Sequence, residues 1–495
     1  MLIPANRVLD ALIKEFDKLR PLLADSGTDG SGAQAVAHAL RLMQARQSGD
    51  IAALRAQFTA LESALDTAAP HLGPHAATQL SALRALLATA DDETSLDALE
   101  SLWRESLAAT ESLVAAFNSA PASAAARQQA ARIFSAWEAG DLTGQMHQAA
   151  QKTQGPANEV DITSENLTAY LRARFNEPGL EVTSLTPLAG GFGKQTTIFA
   201  VKGQALSGEF VMRRDLGDNA GLDNDCHLIM REYPVIRAAH ERGFPAPDAL
   251  WLDTEHHLLP GGDFIIMRKS EGVIGGNFFG ASTEIPTDLA DALAGEMAKL
   301  HNLEPLRELG DLTDSIRAEL WDMDLTACIT RYIRNWYSFY LAESHMPSPA
   351  ITAIYGWLLE NVPQRAGKPS LLHGDIGFHN FLFHEGKMSA LLDWEFAHLG
   401  DPAEELGYVK VTVGASLDWE RFIARYTEAG GRPVDAQTLH YFQVWAFMRN
   451  ATAANIFASR FNDGLVSDLK LTVLPYLHIP NFIRGAQALI ESYPP

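Results

Sequence analysis

The chain has 495 residues, two cysteines (Cys226 and Cys328) and a formal net charge of −22, enough length for two to four domains and a sizeable core. The cysteines are too few for a disulfide framework, no apolar run approaches the roughly 20 residues of a membrane span, and no basic-then-apolar leader opens the chain, so a cytoplasmic location without membrane contact is expected. So acidic a chain, with no basic stripe to offset it, also excludes nucleic acid as a partner.

Residues 1–155 read as all-helical. Val8, Leu9, Leu12, Ile13, Phe16, Leu19 and Leu23 recur at three- and four-residue steps, the stripe of an amphipathic helix. A second stripe (Ile51, Leu54, Phe58, Leu61, Leu65) follows Asp50, and a third (Leu96, Leu99, Trp103, Leu107) follows Ser95; both preceding residues are good N-caps. Pro70-His-Leu-Gly-Pro74 punctuates the helices, and frequent alanine allows them to pack closely. With no catalytic constellation among them, these helices read as a bundle for self-association or for docking a protein partner.

Polar Gln151-Lys-Thr-Gln-Gly-Pro-Ala-Asn158 marks a domain boundary. A capped helix from Thr163 to Phe175 comes next, and then the period changes. Strands are expected over 181–187, 195–201 and 208–214, a helix over 227–242 ending at Gly243, and strands over 249–252 and 263–267. This second domain covers 160–270. A third, 271–495, is mainly helical, with helices over 288–302, 315–343, 350–362, 402–413, 417–429, 436–460 and 464–490. Short strands interrupt it around one stretch rich in polar residues.

That stretch is Leu371-Leu-His-Gly-Asp-Ile-Gly-Phe-His-Asn380, followed by Leu391-Leu-Asp-Trp-Glu395. One acid to orient a hydroxyl, plus an amide and a second acid to hold magnesium, is the minimal equipment for moving a phosphoryl group from ATP. The spacing of Asp375 and Asn380, with Asp393 beyond, resembles the protein kinase signature. Gly374 stands where protein kinases carry Arg, and Asp-Trp-Glu replaces Asp-Phe-Gly. In both respects the chain is similar to the aminoglycoside phosphotransferase family, the branch of the kinase fold that acts on small molecules. Gly400-Asp-Pro-Ala-Glu-Glu-Leu-Gly407 extends the resemblance, with Glu405 in place of the usual Asp. Asp401 and Glu405 are read as scaffold.

The resemblance implies an α+β, bilobal, protein-kinase-like fold with a small β-rich N-lobe and a helical C-lobe, preceded by the all-α domain. It also implies ATP and Mg²⁺, with Asp375 catalytic and Asn380 and Asp393 as metal ligands. His373 is expected as buried scaffold, and His379 as solvated or structural. On the ATP side, Gly190, Gly191 and Gly193 lie where backbone amides approach phosphates, and Lys194 either reaches a phosphate or points to solvent. Arg213 takes the place of the ATP-anchoring lysine, Glu232 is its expected acidic partner, and the backbone around Met267 and Arg268 is expected to face adenine.

Among relatives, Val211-Met-Arg-Arg-Asp215, His-Gly-Asp and Asp-Trp-Glu with Gly-Asp-Pro look closest to the kinase-like domains fused to acyl-CoA dehydrogenases. That resemblance implies transfer to a hydroxyl of a small molecule, such as a hydroxyacyl-CoA. Two alternatives stand beside it: an aminoglycoside-inactivating phosphotransferase, and a pseudokinase scaffold or regulatory protein. The complete Asp375, Asn380 and Asp393 set weighs against the pseudokinase. The helix from Tyr441 to Arg460, with Trp445, Phe447, Arg449, Asn450 and Asn455, lies where relatives bind substrate.

Overall fold

The computed structural model describes residues 40, 51–91, 93, 95–140, 162–188, 194–215, 228–255, 262–274, 285–303, 318–344, 346–462 and 469–493. In chain order these begin with helices α1 (Ile51–Leu72), α2 (Ala77–Ala88), α3 (Leu96–Ser119) and α4 (Ala124–Gly140). Helix α5 (Ser164–Phe175) leads into strands β1 (Glu181–Leu188), β2 (Lys194–Lys202) and β3 (Gly208–Asp215). Helix α6 (Ile229–Glu241) and strands β4 (Ala249–Asp253), β5 (Phe264–Arg268) and β6 (Val273–Ile274) follow. Helices α7 (Thr287–His301), α8 (Leu325–Glu343) and α9 (Pro349–Glu360) precede strands β7 (Ser370–Leu372), β8 (Phe381–His384), β9 (Lys387–Leu391) and β10 (His398–Gly400). Helices α10 (Pro402–Val413), α11 (Trp419–Glu428), α12 (Ala436–Asn462) and α13 (Leu469–Ser492) close the chain. The expected helix over Val8–Leu23 and the polar stretch 151–158 lie outside the described residues.

The chain sorts into two compact units. One comprises Met1–Ala157, Trp336–Asn361 and Phe447–Pro495; the other comprises Asn158–Asn335 and Val362–Ala446. The segment 271–495, expected as a single helical C-lobe, is therefore shared between them. The reason within the first unit is explicit. Helix α4 packs against α1, α9 and α13, and a Cβ added at Gly356 of α9 would lie 2.1 Å from the Asn118 side chain of α3. Two glutamates of the N-terminal helices also hold the start of α9. Glu111 accepts from the Ser348 amide at 3.0 Å, and Glu138 accepts from the Ala350 amide at 2.9 Å. Carboxylates satisfy the orphan amides of a helix N-terminus and complement its dipole, so α9 is anchored to residues more than 200 positions away. Helix α1 runs past Pro70 to Leu72, and Gly73, at φ 73°, ends it; the expected punctuation falls inside the last turn.

In the second unit, α5 starts with a reciprocal capping box between Thr163 and Asn166. It lies on an antiparallel five-stranded sheet of order β1-β2-β3-β5-β4. Strand β5 alternates between two cores, as a period of two requires. Phe264 and Ile266 join Leu167, Leu171, Phe199 and Phe210 on the α5 side. Ile265 and Met267 join α6 and the helical lobe, including Leu293, Leu391 and Trp394. Below the sheet, β6-β8-β9 and β10-β7 form two small sheets whose connecting turns carry the polar stretch singled out in the sequence. This is the α+β, kinase-like, two-lobed arrangement expected from the motifs. Among the described residues no helix is long and apolar enough to cross a membrane.

Candidate active site

Strand β7 ends at Leu372, and the chain turns sharply through His373-Gly374-Asp375. Gly374 has φ 80°, and a Cβ there would sit 2.2 Å from the Phe396 carbonyl oxygen. Both the left-handed backbone and the close approach require glycine, which is why the arginine of protein kinases has no room here. His373 is fully buried beneath the turn. Its Nε2 lies 2.8 Å from the Leu392 carbonyl, and its Nδ1 accepts from the Asp375 amide at 3.2 Å. One nitrogen donating and the other accepting is the pattern of a neutral ring. Burial holds its pKa below the ordinary imidazole value, so His373 is scaffold.

Asp375 is buried, and its carboxylate is held at both ends. Oδ1 accepts from the Tyr408 hydroxyl at 2.6 Å; Oδ2 accepts from Asn380 Nδ2 at 3.0 Å and lies 3.3 Å from His379 Nε2. Asn380 Nδ2 also donates to the Asp375 carbonyl at 2.9 Å, which leaves the amide oxygen of Asn380 as its acceptor. His379, expected to be solvated or structural, thus touches the carboxylate.

Beyond β9 the chain returns to this loop, the Leu392 amide donating to the Asn380 carbonyl at 2.8 Å. Asp393 then adopts φ 66°, a left-handed conformation that costs a non-glycine residue on the order of 1 kcal/mol. The turn sends Trp394 into the core, where it meets His373 edge-to-face at 5.0 Å and donates to the Leu391 carbonyl at 2.8 Å. The flanking acids, Asp393 and Glu395, both reach Arg213 of β3. Arg213 Nε lies 3.1 Å from Glu232 of α6. One guanidinium therefore joins β3, α6 and the Asp-Trp-Glu turn.

Three carboxylates facing one arginine leave an excess of negative charge. Burial first, and the Asp393 charge second, push Glu395 up to about 8. Burial also raises Glu232 against the opposing pull of Arg213. Burial alone would lower Arg213, but Asp393, Glu232 and Glu395 together hold it above its ordinary value. The oxygens of Asp393 and Asn380, on turns joined by the Leu392–Asn380 backbone bond, are of the hard donor type that a divalent cation such as Mg²⁺ takes. Among the described residues no group of three or more His, Cys, Asp or Glu side chains could hold a metal alone.

Lys194, at the start of β2, is buried and paired with Asp215, whose other oxygen accepts from the Ile229 amide at 3.2 Å. It does not point to solvent. Strand β5 modifies the expectation for the nucleobase. The amides of Arg268 and Lys269 donate to the carbonyls of Asp248 and Glu209, at 2.9 and 3.1 Å, and the Met267 side chain lies in the core. Sheet pairing has committed those two donors, so any adenine contact needs other backbone groups. Gly190, Gly191 and Gly193 lie outside the described residues. Tyr441 and Trp445 of α12 are fully buried core, and Arg449 is buried within the first unit.

Helix α10 holds the loop from the other side. Asp401 caps it by accepting from the Ala403 amide at 3.0 Å, with Pro402 in the first turn. Glu405 accepts from the Gly374 amide at 2.8 Å and lies 2.6 Å from His301 Nε2, while His301 Nδ1 is 2.8 Å from the Tyr426 hydroxyl. Sequence reasoning named neither Tyr408 nor His301 as part of the site. A signal existed for Tyr408, which stands three residues after Glu405 on an expected helix and so shares its face.

Residues 184–449, just over half of the chain, match the phosphotransferase enzyme family, APH. The chain belongs to that family. Among curated relatives, acyl-CoA dehydrogenase family member 11 of Pongo abelii is 28% identical over 259 residues, covering 51% of this chain and 31% of the relative. The Gallus gallus protein of the same name is 30% identical over 190 residues, covering 37% of this chain and 23% of the relative. The match thus spans less than a third of the length of these two relatives. Among solved structures, a putative aminoglycoside phosphotransferase from Ralstonia eutropha has a TM-score of 0.49 and 20% identity, covering 68% of this chain and 100% of that one. The family match encloses every candidate site residue from Gly190 to Asp393.

Proposed function

We propose that this APH phosphotransferase transfers the γ-phosphoryl group of ATP to a hydroxyl of a small metabolite, with a hydroxyacyl-CoA as the favoured acceptor. The observation that carries the reading is the Asp375 carboxylate, buried and fixed by Tyr408 and Asn380 in a loop tied to the Asp393 turn. The acceptor hydroxyl donates a hydrogen bond to Asp375 and its oxygen attacks the γ-phosphorus. The new O–P bond forms as the bond to the ADP oxygen breaks, and the proton passes to Asp375 late. The transition state is loose, so positioning outweighs base strength. Arg213, presented by Glu232, would meet phosphate oxygens with a planar fork. Asn380 and Asp393 would hold Mg²⁺, which supplies neutralising charge at the phosphates.

The acyl-CoA dehydrogenase names of the relatives support a thioester acceptor. The chemistry supports it as well, since phosphate leaves far more readily than hydroxide and phosphorylation prepares a hydroxyl for elimination. The test is ATP consumption measured against hydroxyacyl-CoAs, sugars and aminoglycosides, for the native chain and for Asp375→Asn. Turnover with a thioester is expected, cut by about 100- to 10,000-fold but still measurable in the variant, while ATP affinity stays within about threefold. Native turnover in Asp375→Asn would sink the assignment, and turnover with aminoglycosides alone would sink the acceptor.

A further inference from the structure

We infer that Tyr408 is a positioning residue for Asp375, so that helix α10 sets the geometry of phosphoryl transfer; this rests on the phosphotransferase reading above. Tyr408 is buried, and its hydroxyl donates to Asp375 Oδ1 at 2.6 Å. A buried phenol needs some partner for its O–H, so the contact alone could be simple satisfaction. Three further observations make it more specific.

The opposite oxygen, Oδ2, is already held by Asn380 at 3.0 Å, with His379 at 3.3 Å. Tyr408 therefore supplies the second point that stops the carboxylate rotating about its Cβ–Cγ bond. One turn earlier on the same face of α10, Glu405 accepts from the Gly374 amide at 2.8 Å. Two adjacent residues of the catalytic loop are thus gripped by one helical turn, Gly374 through its backbone and Asp375 through its side chain. Between them, a Cβ added at Gly407 would lie 2.8 Å from the Phe442 carbonyl carbon. That close seating of α10 on α12 fixes how far Tyr408 reaches.

A charged acceptor strengthens the Tyr408 bond. A base that must meet a hydroxyl in line with a phosphorus also loses rate steeply when it can swing away. Removing the hydroxyl while keeping the ring should release Asp375 without opening a cavity.

The test is Tyr408→Phe, assayed by phosphoryl transfer from ATP–Mg²⁺ to 3-hydroxybutyryl-CoA, with hydrolysis of ATP by water measured alongside. kcat should fall about 10- to 100-fold, the equivalent of losing one hydrogen bond to a charged group. KM for ATP should stay within about twofold, and the melting temperature should fall by no more than the roughly 4–10 °C that one such bond is worth. An unchanged kcat overturns the inference. So does a parallel shift of kcat, KM and melting temperature, because that is the signature of a merely structural side chain. In an Asp375→Asn background, Tyr408→Phe should add no further loss, whereas a second full tenfold loss would show that Tyr408 acts elsewhere. Native turnover in Asp375→Asn alone is the separate outcome that removes the function reading itself.

Discussion

Replacing Glu405 by Gln tests how the catalytic turn is held. The carboxylate is 1% exposed. It accepts from the Gly374 amide at 2.8 Å, and its other oxygen lies 2.6 Å from His301 Nε2. Glutamine conserves the volume but replaces one acceptor with an NH₂ donor, which must face either the Gly374 amide or the imidazole. Facing Gly374 it would confront donor with donor. Facing His301 it forces the ring into the tautomer that accepts at Nε2 and donates from Nδ1 to Tyr426. Either way two charge-assisted bonds become neutral ones, and a net loss of about 1.5–3 kcal/mol follows. For a unit of this size that corresponds to roughly 4–10 °C in melting temperature at pH 7.

The pH dependence has a definite sign. Burial alone would raise the Glu405 pKa, but His301, His373 and the Gly374 amide hold it below the ordinary glutamate value. The stabilisation is therefore fully present above the unfolded pKa of about 4.3, and it is lost as pH falls through the lower folded pKa. The gap between native protein and variant should hold from pH 7 to about 5 and close only in stronger acid. Thermal melting followed by circular dichroism across that range is the assay. A variant melting within about 1 °C of the native chain at pH 7 would refute the reasoning.

Arg213→Lys should raise KM for ATP at least about tenfold, because a single ammonium cannot serve Glu232, Asp393 and Glu395 together as the guanidinium does; an unaltered KM would count against Arg213 as the phosphate anchor. Cys328 should be inert in the native state. Its thiol is buried, pushed up to about 12 mainly by burial, and donates to the Leu399 carbonyl at 3.2 Å. In a Cys226→Ser background, a disulfide reagent should label the chain only after denaturation, and rapid native labelling would contradict the burial.

Much of the second unit was legible because its signals are local. Capping at Thr163, the alternating or β-branched runs of β1 to β3 and the stop at Gly243 are properties of neighbouring residues. The Arg213–Glu232 pair was also accessible, since strand-then-helix order limits which acid can face that arginine. Lys194 was less so. Its side chain could have gone either way until the strand register placed Asp215 opposite it. The committed amides of Arg268 and Lys269 follow from pairing with strands distant in sequence, which no local pattern states. In the first unit, helicity was readable, but the destinations of the helices were not.

Sequence alone determined the chemistry on offer: Asp375, Asn380 and Asp393 at kinase-like spacing, an arginine on the third strand, and a Gly-Asp-Pro start to the following helix. These survive as sequence signals because the loop and the turn are short, so spacing along the chain dictates spacing in the fold. Tertiary structure alone decided what surrounds them. It brought Tyr408 onto the catalytic carboxylate, buried Glu405 between Gly374 and His301, and gathered three acids around one guanidinium. It also took 336–361 into the unit of the N-terminal helices, where Glu111 and Glu138 satisfy the start of α9. Such partners arise because a buried polar group must be paired by whatever the packing brings within reach, and that choice is made across the fold, not along the chain.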